Sequence, residues 1–200
     1  MRTTEHCSDR LLAVGRELFA KNGYDGTSVR AITSRAKANL SAVTYHFGAK
    51  HVLYSAVLAL LMKPLGKRIN FALLAERPPL DRVESVVRIF FDHIRANPDM
   101  PAIIVREMAS GRPVSGIIAT TMSQALGQLA AVIAQGQADG SIRAGDPTLL
   151  ALSCVAQPIY LNLARRAISA AAGLDQDDPG VFHRVVEHAT LAVRALLRAG

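Results

Sequence analysis

Residues Gly26 to Lys50 read G-T-S-V-R-A-I-T-S-R-A-K-A-N-L-S-A-V-T-Y-H-F-G-A-K, and the pattern predicts two short helices joined by a tight turn. Thr27 stands where an N-cap belongs, its hydroxyl able to accept a free amide of the first helical turn. Val29, Ile32 and Ala36 follow at i, i+3 and i+7, one apolar stripe on a short helix. Lys37, Ala38 and Asn39 make the break, and Asn39 is a natural N-cap for the second helix, Leu40 to Tyr45. Helix, short turn, helix is the plan whose second helix lies in the major groove of DNA.

Charge points the same way. No acid occurs between Asp25 and Glu76, while that block carries Arg30, Arg35, Lys37, Lys50, Lys63, Lys67 and Arg68. A solvated helix face normally mixes both signs, whereas an acid-free basic face is what a phosphate-binding surface needs. The formal net charge is +7 with a pI near 9.9, which favours polyanionic partners. Residues 1–50 hold eight Lys/Arg against four Asp/Glu, so the first quarter carries more than half of the excess.

These residues resemble a known family. Thr27-Ser28-Val29-Arg30-x-Ile32, Ala36, and Tyr45-His46-Phe47-Gly48-x-Lys50 are similar to the signature of the TetR family of bacterial transcription regulators, over roughly the first quarter of the chain. Lys37 stands where that family usually has the turn glycine, and Thr44 where the nearest subset has asparagine or tyrosine. The resemblance implies an all-α fold, with residues 1–50 as a three-helix helix-turn-helix DNA-binding head. Residues 51–200 would form a helical effector-binding and dimerisation body, pairing through its last two long helices. It also implies DNA contacts. Ser28 at the start of its helix offers a hydroxyl and an amide to phosphate, and Arg30 reaches a guanine edge or the backbone. Leu40 and Ala42 suit thymine methyls, Ser41 and Thr44 a base or a phosphate. Tyr45, His46 and Lys50 match backbone-contacting positions. Val43 and Phe47 read as core, Tyr45 alternatively as half core, and His46 alternatively as a satisfied helix-end histidine.

The rest of the chain is read in order. Ser8-Asp9 is expected to cap the first helix, whose face Leu11, Leu12, Gly15, Leu18, Phe19 turns inward, with Asn22-Gly23 as its stop. Leu11, Leu18, Phe19, Ile32, Val43 and Phe47 form a thin head core, with Tyr24 under the turn. From Lys50 a longer helix repeats Val52, Leu53, Ala56, Val57, Leu60 and Leu61, and Pro64-x-Gly66 is expected to kink or end it. Pro78-Pro79, Asn97-Pro98, Gly111-Arg112-Pro113 and Asp139-Gly140 punctuate the helices that follow. Asp146-Pro147 and Asp178-Pro179, each a cap followed by proline at the first helical position, open the last two. The first of these is expected to reach about Ala172 with a bend at Pro158.

No stretch alternates long enough to be a strand. The apolar runs Val52–Met62 and Leu149–Leu161 fall short of the ~18 residues that cross a membrane, and Met1–His6 lacks the apolar core of a signal peptide. Cys7 and Cys154, the two cysteines, have no metal or redox spacing and fit a reducing compartment. A cytoplasmic protein without cofactor, metal or membrane partner is expected. No glycine-rich phosphate loop, H-E-x-x-H or G-x-S-x-G elbow is present, so an enzyme is not expected. His183, Glu187 and His188 read as a polar helix face rather than a metal site. The polar residues Arg106-Glu107, His93, Gln157, Tyr160 and Asn162 among apolar helices are candidate effector contacts, or satisfied interface groups, with His93, Arg106, Gln157 and Tyr160 put forward as ligand contacts.

The expected function is a sequence-specific, homodimeric DNA-binding regulator, a repressor whose hold on a pseudo-palindromic double-stranded operator is controlled by a small-molecule effector. The alternatives are a nonspecific basic DNA-binding protein and a small-molecule-binding protein with a relic head.

Overall fold

The computed structural model describes residues 2–199, with side chains from His6 onward. Ten helices account for nearly all of it: α1 (Arg2–Asn22), α2 (Val29–Arg35), α3 (Ala42–Phe47), α4 (Lys50–Leu73), α5 (Pro79–Ala96), α6 (Met100–Met108), α7 (Gly116–Ala138), α8 (Pro147–Leu163), α9 (Arg165–Ala172) and α10 (Pro179–Leu197). Among the described residues the only extended pairing is an isolated bridge between Ile142 and Arg198. The fold is all-α, as expected.

The chain divides into two compact units, residues 1–63 with 97–120, and residues 64–96 with 121–200. Helices α4 and α7 each contribute residues to both.

In the first unit, α1, α2 and α3 bury Leu11, Phe19, Ile32, Ala36 and Val43, and α4 adds Leu53, Tyr54 and Val57. Each fully buried aliphatic or aromatic side chain contributes ~1.5–3 kcal/mol, so so small a group needs α4 and α6 to complete it. Phe19, Tyr24 and Tyr54 form an aromatic cluster, with Phe19 edge-on to Tyr54 at 4.8 Å between centroids. Arg16 of α1 donates to both carboxylate oxygens of Asp99, at 2.5 and 2.6 Å, and to Asn97 at 3.0 Å, holding the start of α6. Phe47, expected in the core, is only half-buried.

In the second unit, α5 packs against α8 and α10. Val83, Val86, Val87 and Phe91 meet Ala151, Cys154, Val185, Ala189 and Val193 in its core. Arg194 binds Glu84 and Asp81, and Arg88 donates to Glu187 at 2.5 Å. Both acid–proline starts are realised. Asp146 accepts the amides of Thr148 and Leu149 at 2.8 and 3.1 Å, and Asp178 accepts that of Val181 at 2.8 Å.

Several expected boundaries move. Helix α1 begins before Ser8-Asp9, which lie inside it. Pro64 neither ends α4 nor interrupts it, for the helix continues to Leu73. Nor does Pro158 break α8. The break falls at Ala164, beyond which α9 turns by 70°. The uncharged α7, 23 residues with a mean hydropathy of 1.5 in its most apolar window, is long and apolar enough to span a membrane by length and composition. Its threonines, serine and glutamines hide that run from a search for continuous apolar segments. It also supplies Ile118, Leu129, Val132 and Ile133 to the buried interior, though only 22% of that window is buried.

Candidate nucleic-acid interface

The cap of α2 belongs to Ser28, not Thr27. Ser28 has extended backbone angles and its side chain accepts the Ala31 amide at 3.1 Å. Thr27 points inward, fully buried, and its hydroxyl lies 2.7 Å from the Gly23 carbonyl and 3.1 Å from that of Leu18. Two adjacent hydroxyl residues therefore divide two jobs. One closes the end of α1 and the other keeps the N-terminus of α2 open to solvent.

Helix α2 ends in a left-handed turn at Lys37, where φ is +51°. The Lys37 amide donates to Ser34 at 3.2 Å and the Ala38 amide to Thr33 at 2.9 Å, the paired bonds of a Schellman motif with lysine at its left-handed position. A residue with a Cβ carries a penalty there of ~1 kcal/mol relative to glycine. The motif forms nonetheless, because its hydrogen bonds are all made by backbone.

Helix α3 starts later than expected. Asn39 does not cap it with its side chain. Its carbonyl accepts the Ala42 amide at 2.9 Å, and Ser41 occupies the cap position without a side-chain bond. Gly48, at φ +77°, closes the helix and returns its amide to Thr44 at 2.9 Å. Val43 is buried. Leu40 and Tyr45 stand out at 62% and 76% exposure, large side chains left uncovered by the head itself. Ser41 and Thr44 are exposed beside them, Ala42 is half-buried, and Ser28 and Arg30 are exposed on α2. His46 is half-buried and stands edge-on to the Tyr45 ring at 4.9 Å.

Lys50 has a different task from the expected phosphate clamp. Its ammonium donates to the carbonyls of Tyr24 and Thr27 at 2.9 and 3.0 Å and lies 4.1 Å above the Tyr24 ring. Two of its three donors thus tie the α1–α2 turn to the start of α4. Arg35, in the acid-free block, forms a two-pronged pair with Glu17 of α1.

Glu107, a candidate polar residue among apolar helices, is a satisfied buried group whose partners the sequence did not disclose. Glu107 of α6 is only 5% exposed. It accepts the Tyr54 hydroxyl at 2.9 Å, the Arg112 guanidinium at 3.3 Å and the Ser115 amide at 3.2 Å. Arg112 also faces the Tyr24 ring at 4.5 Å. Burial first, and the Glu107 carboxylate second, push the Tyr54 phenol well above the ordinary tyrosine range. The acid–tyrosine–arginine combination is scattered over sequence, and only the glutamate in an apolar helix hinted at it.

The candidate effector residues are not gathered into one place. Arg106 lies in the first unit, exposed, and donates to the Lys21 carbonyl at 3.1 Å. His93, Gln157 and Tyr160 belong to the second, where His93 is buried, Gln157 half-buried and Tyr160 exposed. A hollow of about 380 Å³ in that unit is lined by Arg88, Asp92, Arg95, Pro179, Phe182, His183 and Val186, and includes none of the three.

Comparison with known proteins covers both parts of the chain. Residues 11–57 match the family described as bacterial regulatory proteins, tetR family, and residues 79–193 match a tetracyclin repressor-like C-terminal domain. The HTH-type transcriptional repressor NicS of Pseudomonas putida is 25% identical over 85% of this chain and 82% of its own. An HTH-type transcriptional repressor of Mycobacterium tuberculosis is 33% identical over 55% of this chain and half of its own. Among solved structures, a tetR-family regulatory protein from Rhodococcus superposes with a TM-score of 0.79 at 19% identity, covering 97% of this chain and 98% of its own. The ketosteroid transcriptional regulator KstR2 of Mycobacterium tuberculosis gives 0.77 at 19% identity, covering 96% and 95%.

Proposed function

Because this chain belongs to the TetR family of DNA-binding transcription regulators, we propose that it is a cytoplasmic homodimeric repressor released from its operator by a small molecule. Residues 1–50 act as the DNA-binding head and residues 51–200 as the effector-binding and dimerisation body. The observation that carries the reading is the uncovered face of α3. Leu40, Ser41, Thr44 and Tyr45 are exposed there, beside the open N-terminus of α2 with Ser28 and Arg30. Leu40 and Ala42 take thymine methyls, Ser41 and Thr44 take bases or phosphates, and Arg30 takes a guanine edge or the backbone. Tyr45 and His46 take backbone phosphates. Lys50 supports this surface from behind.

The body pairs through α8 and α10. On α8, Leu149, Leu152, Ile159, Tyr160 and Leu163 form one exposed apolar stripe, and α10 adds Leu191. A patch of that kind on a soluble chain calls for a partner, and a two-fold copy of itself closes it. The effector is assigned to the second unit, with His93 and Gln157 as candidate contacts and Tyr160 as either an effector contact or part of the paired stripe. Its binding favours a body state in which the two heads no longer match successive major grooves ~34 Å apart.

Footprinting on the DNA upstream of the protein's own gene tests the reading, repeated with Arg30→Ala and Thr44→Ala. A protected pseudo-palindrome, preferred over bulk duplex by at least ~10³ and weakened by both changes, is expected. Uniform weak protection that vanishes with salt would reduce the protein to a nonspecific DNA binder.

A further inference from the structure

Near the middle of α1, Arg10, Ala13 and Val14 face the α2–α3 turn, and together with Arg35, Ala36 and Lys37 they line a hollow of about 420 Å³. Ala36 is buried and forms its floor, while Arg10 and Lys37 are exposed. Arg35 is held at the rim by its two-pronged pair with Glu17. Neither Arg10 nor Lys37 has an ion-pair partner among the described residues.

Lys37 is the informative member. It is the one non-glycine residue at positive φ among the described residues, and the turn it makes is held by backbone bonds to Ser34 and Thr33. Glycine would make the same turn with less strain. The side chain therefore adds nothing to the turn's own hydrogen bonding, yet it brings a third cation to the rim. Strain of this kind at an exposed charge is a reason to look for a ligand.

Position narrows what that ligand is. Further along α1, Arg16 is tied to Asp99 at the start of α6, and Arg10 lies ~9 Å back along the helix from Arg16. Lys37 is three residues before Leu40, a reach of at most ~11 Å. The cluster thus adjoins the leading end of α3. Its cations are long and solvated around an open hollow. Such a site gains little from a small free anion, but much from a polyanion that releases counterions.

We propose that Arg10, Arg35 and Lys37 cradle a DNA backbone phosphate beside the groove that α3 enters, extending each head's grip on to α1 and the turn. This rests on the reading of the chain as a DNA-binding regulator. The contact carries no base information, so it strengthens specific and nonspecific binding alike.

The test is fluorescence anisotropy with a mixed-sequence duplex over a series of salt concentrations, paired with thermal melts. Lys37→Gly removes the cation while easing the turn, so its melting temperature should equal or exceed that of the unaltered protein. Its DNA affinity should nevertheless fall by about 3- to 10-fold near 0.1 M salt, with a log K against log salt slope shallower by ~1. Adding Arg10→Gln should flatten the slope further, to ~2 in total. Unchanged affinity and slope in both variants, while the unaltered protein binds and Arg30→Ala weakens it, would overturn the cradle alone. Failure of the unaltered protein to bind any duplex would overturn the regulator reading and the cradle with it. Displacement of DNA by inorganic phosphate at constant ionic strength, lost in Lys37→Gly, would reassign the hollow to a free anion and overturn the DNA assignment.

Discussion

The Tyr54 hydroxyl donates to the buried carboxylate of Glu107 at 2.9 Å, joining α4 to α6 inside the first unit. Arg112 and the Ser115 amide complete the acid's hydrogen bonds, so both of its oxygens are occupied. Tyr54→Phe removes one donor from a buried acceptor and should cost about 1–2 kcal/mol, read as a drop in Tm of roughly 2–8 °C. Glu107→Gln should cost more, ~3 kcal/mol, because it places an NH2 group among donors and leaves Arg112 only the more distant Asp25, at 3.7 Å, as its anion. The tyrosine also carries a pH signature. Its phenol is raised in the folded state, so above ~10 the unfolded chain releases a proton that the folded one keeps. Stability then falls as pH rises, and the advantage over Tyr54→Phe should narrow there. A Tyr54→Phe variant as stable as the unaltered protein would show the bond to be worthless.

Arg16 and Asp99 make the opposite case in acid. The hydrogen bond from Arg16 holds the Asp99 carboxyl below the usual carboxylate range, against the opposing effect of burial. Asp99→Asn should therefore cost about 1–2 kcal/mol near neutral pH, more than an exposed pair because both side chains are largely covered. Below ~4 the unfolded chain takes up a proton that the folded carboxylate refuses, so stability is lost as pH falls toward the folded pKa. Urea unfolding at several pH values should show the gap between the two proteins closing through that window. A gap independent of pH would assign the loss to packing.

What was legible in the sequence was mostly local. Asp146-Pro147 and Asp178-Pro179 declare helix starts because cap and first-turn proline act within four residues. The tight turn at Lys37 to Asn39 was legible too, and its left-handed member was marked by the glycine that the resembling family usually carries at Lys37. Features decided at a distance were not. Helix α8 passes Pro158 and stops at Ala164, where the Gln176 side chain, far along the chain, donates to the Leu161 carbonyl at 3.0 Å. Thr27 and Ser28 are chemically alike, and only the packing of α1 shows which one turns inward. In the candidate site, the groove-facing set on α3 came from the resemblance of its motif rather than from spacing. The inward turn of Lys50 depends on the Tyr24 and Thr27 carbonyls, and the pocket at Lys37 depends on Arg10, twenty-seven residues earlier.

The stripe on α8 offers a test of assembly. Leu152→Glu together with Ile159→Glu places two charges on exposed apolar positions, where a lone subunit tolerates them and a dry two-fold interface does not. Sedimentation should show a monomer with unchanged helicity. Its affinity for the operator should be at least ~10-fold weaker, since the second head no longer binds at the effective concentration set by the first. A double variant that remains a dimer would move the interface elsewhere.

Two of the three glycines of helix α7, Gly127 and Gly136, have opposite expected responses to alanine. Gly136 is buried, and a Cβ there would lie 2.6 Å from Cγ1 and Cδ1 of Ile142 and 3.1 Å from its Cβ. Ile142 has little room to withdraw, being 2% exposed and fixed by its amide bond to the Gly136 carbonyl at 2.8 Å. Gly136→Ala should therefore destabilise by about 1–3 kcal/mol through overpacking, outweighing the better helix propensity of alanine. Gly127 is exposed in the same helix, and nothing stands within 4 Å of its would-be Cβ. Gly127→Ala should stabilise by up to ~1 kcal/mol, since alanine loses less backbone entropy on folding. Urea unfolding at one fixed protein concentration, so that any subunit association contributes equally, gives both values. Gains at both positions would mean that Ile142 repacks freely and that Gly136 is not required by close approach. Losses at both would place an additional contact against the exposed side of α7.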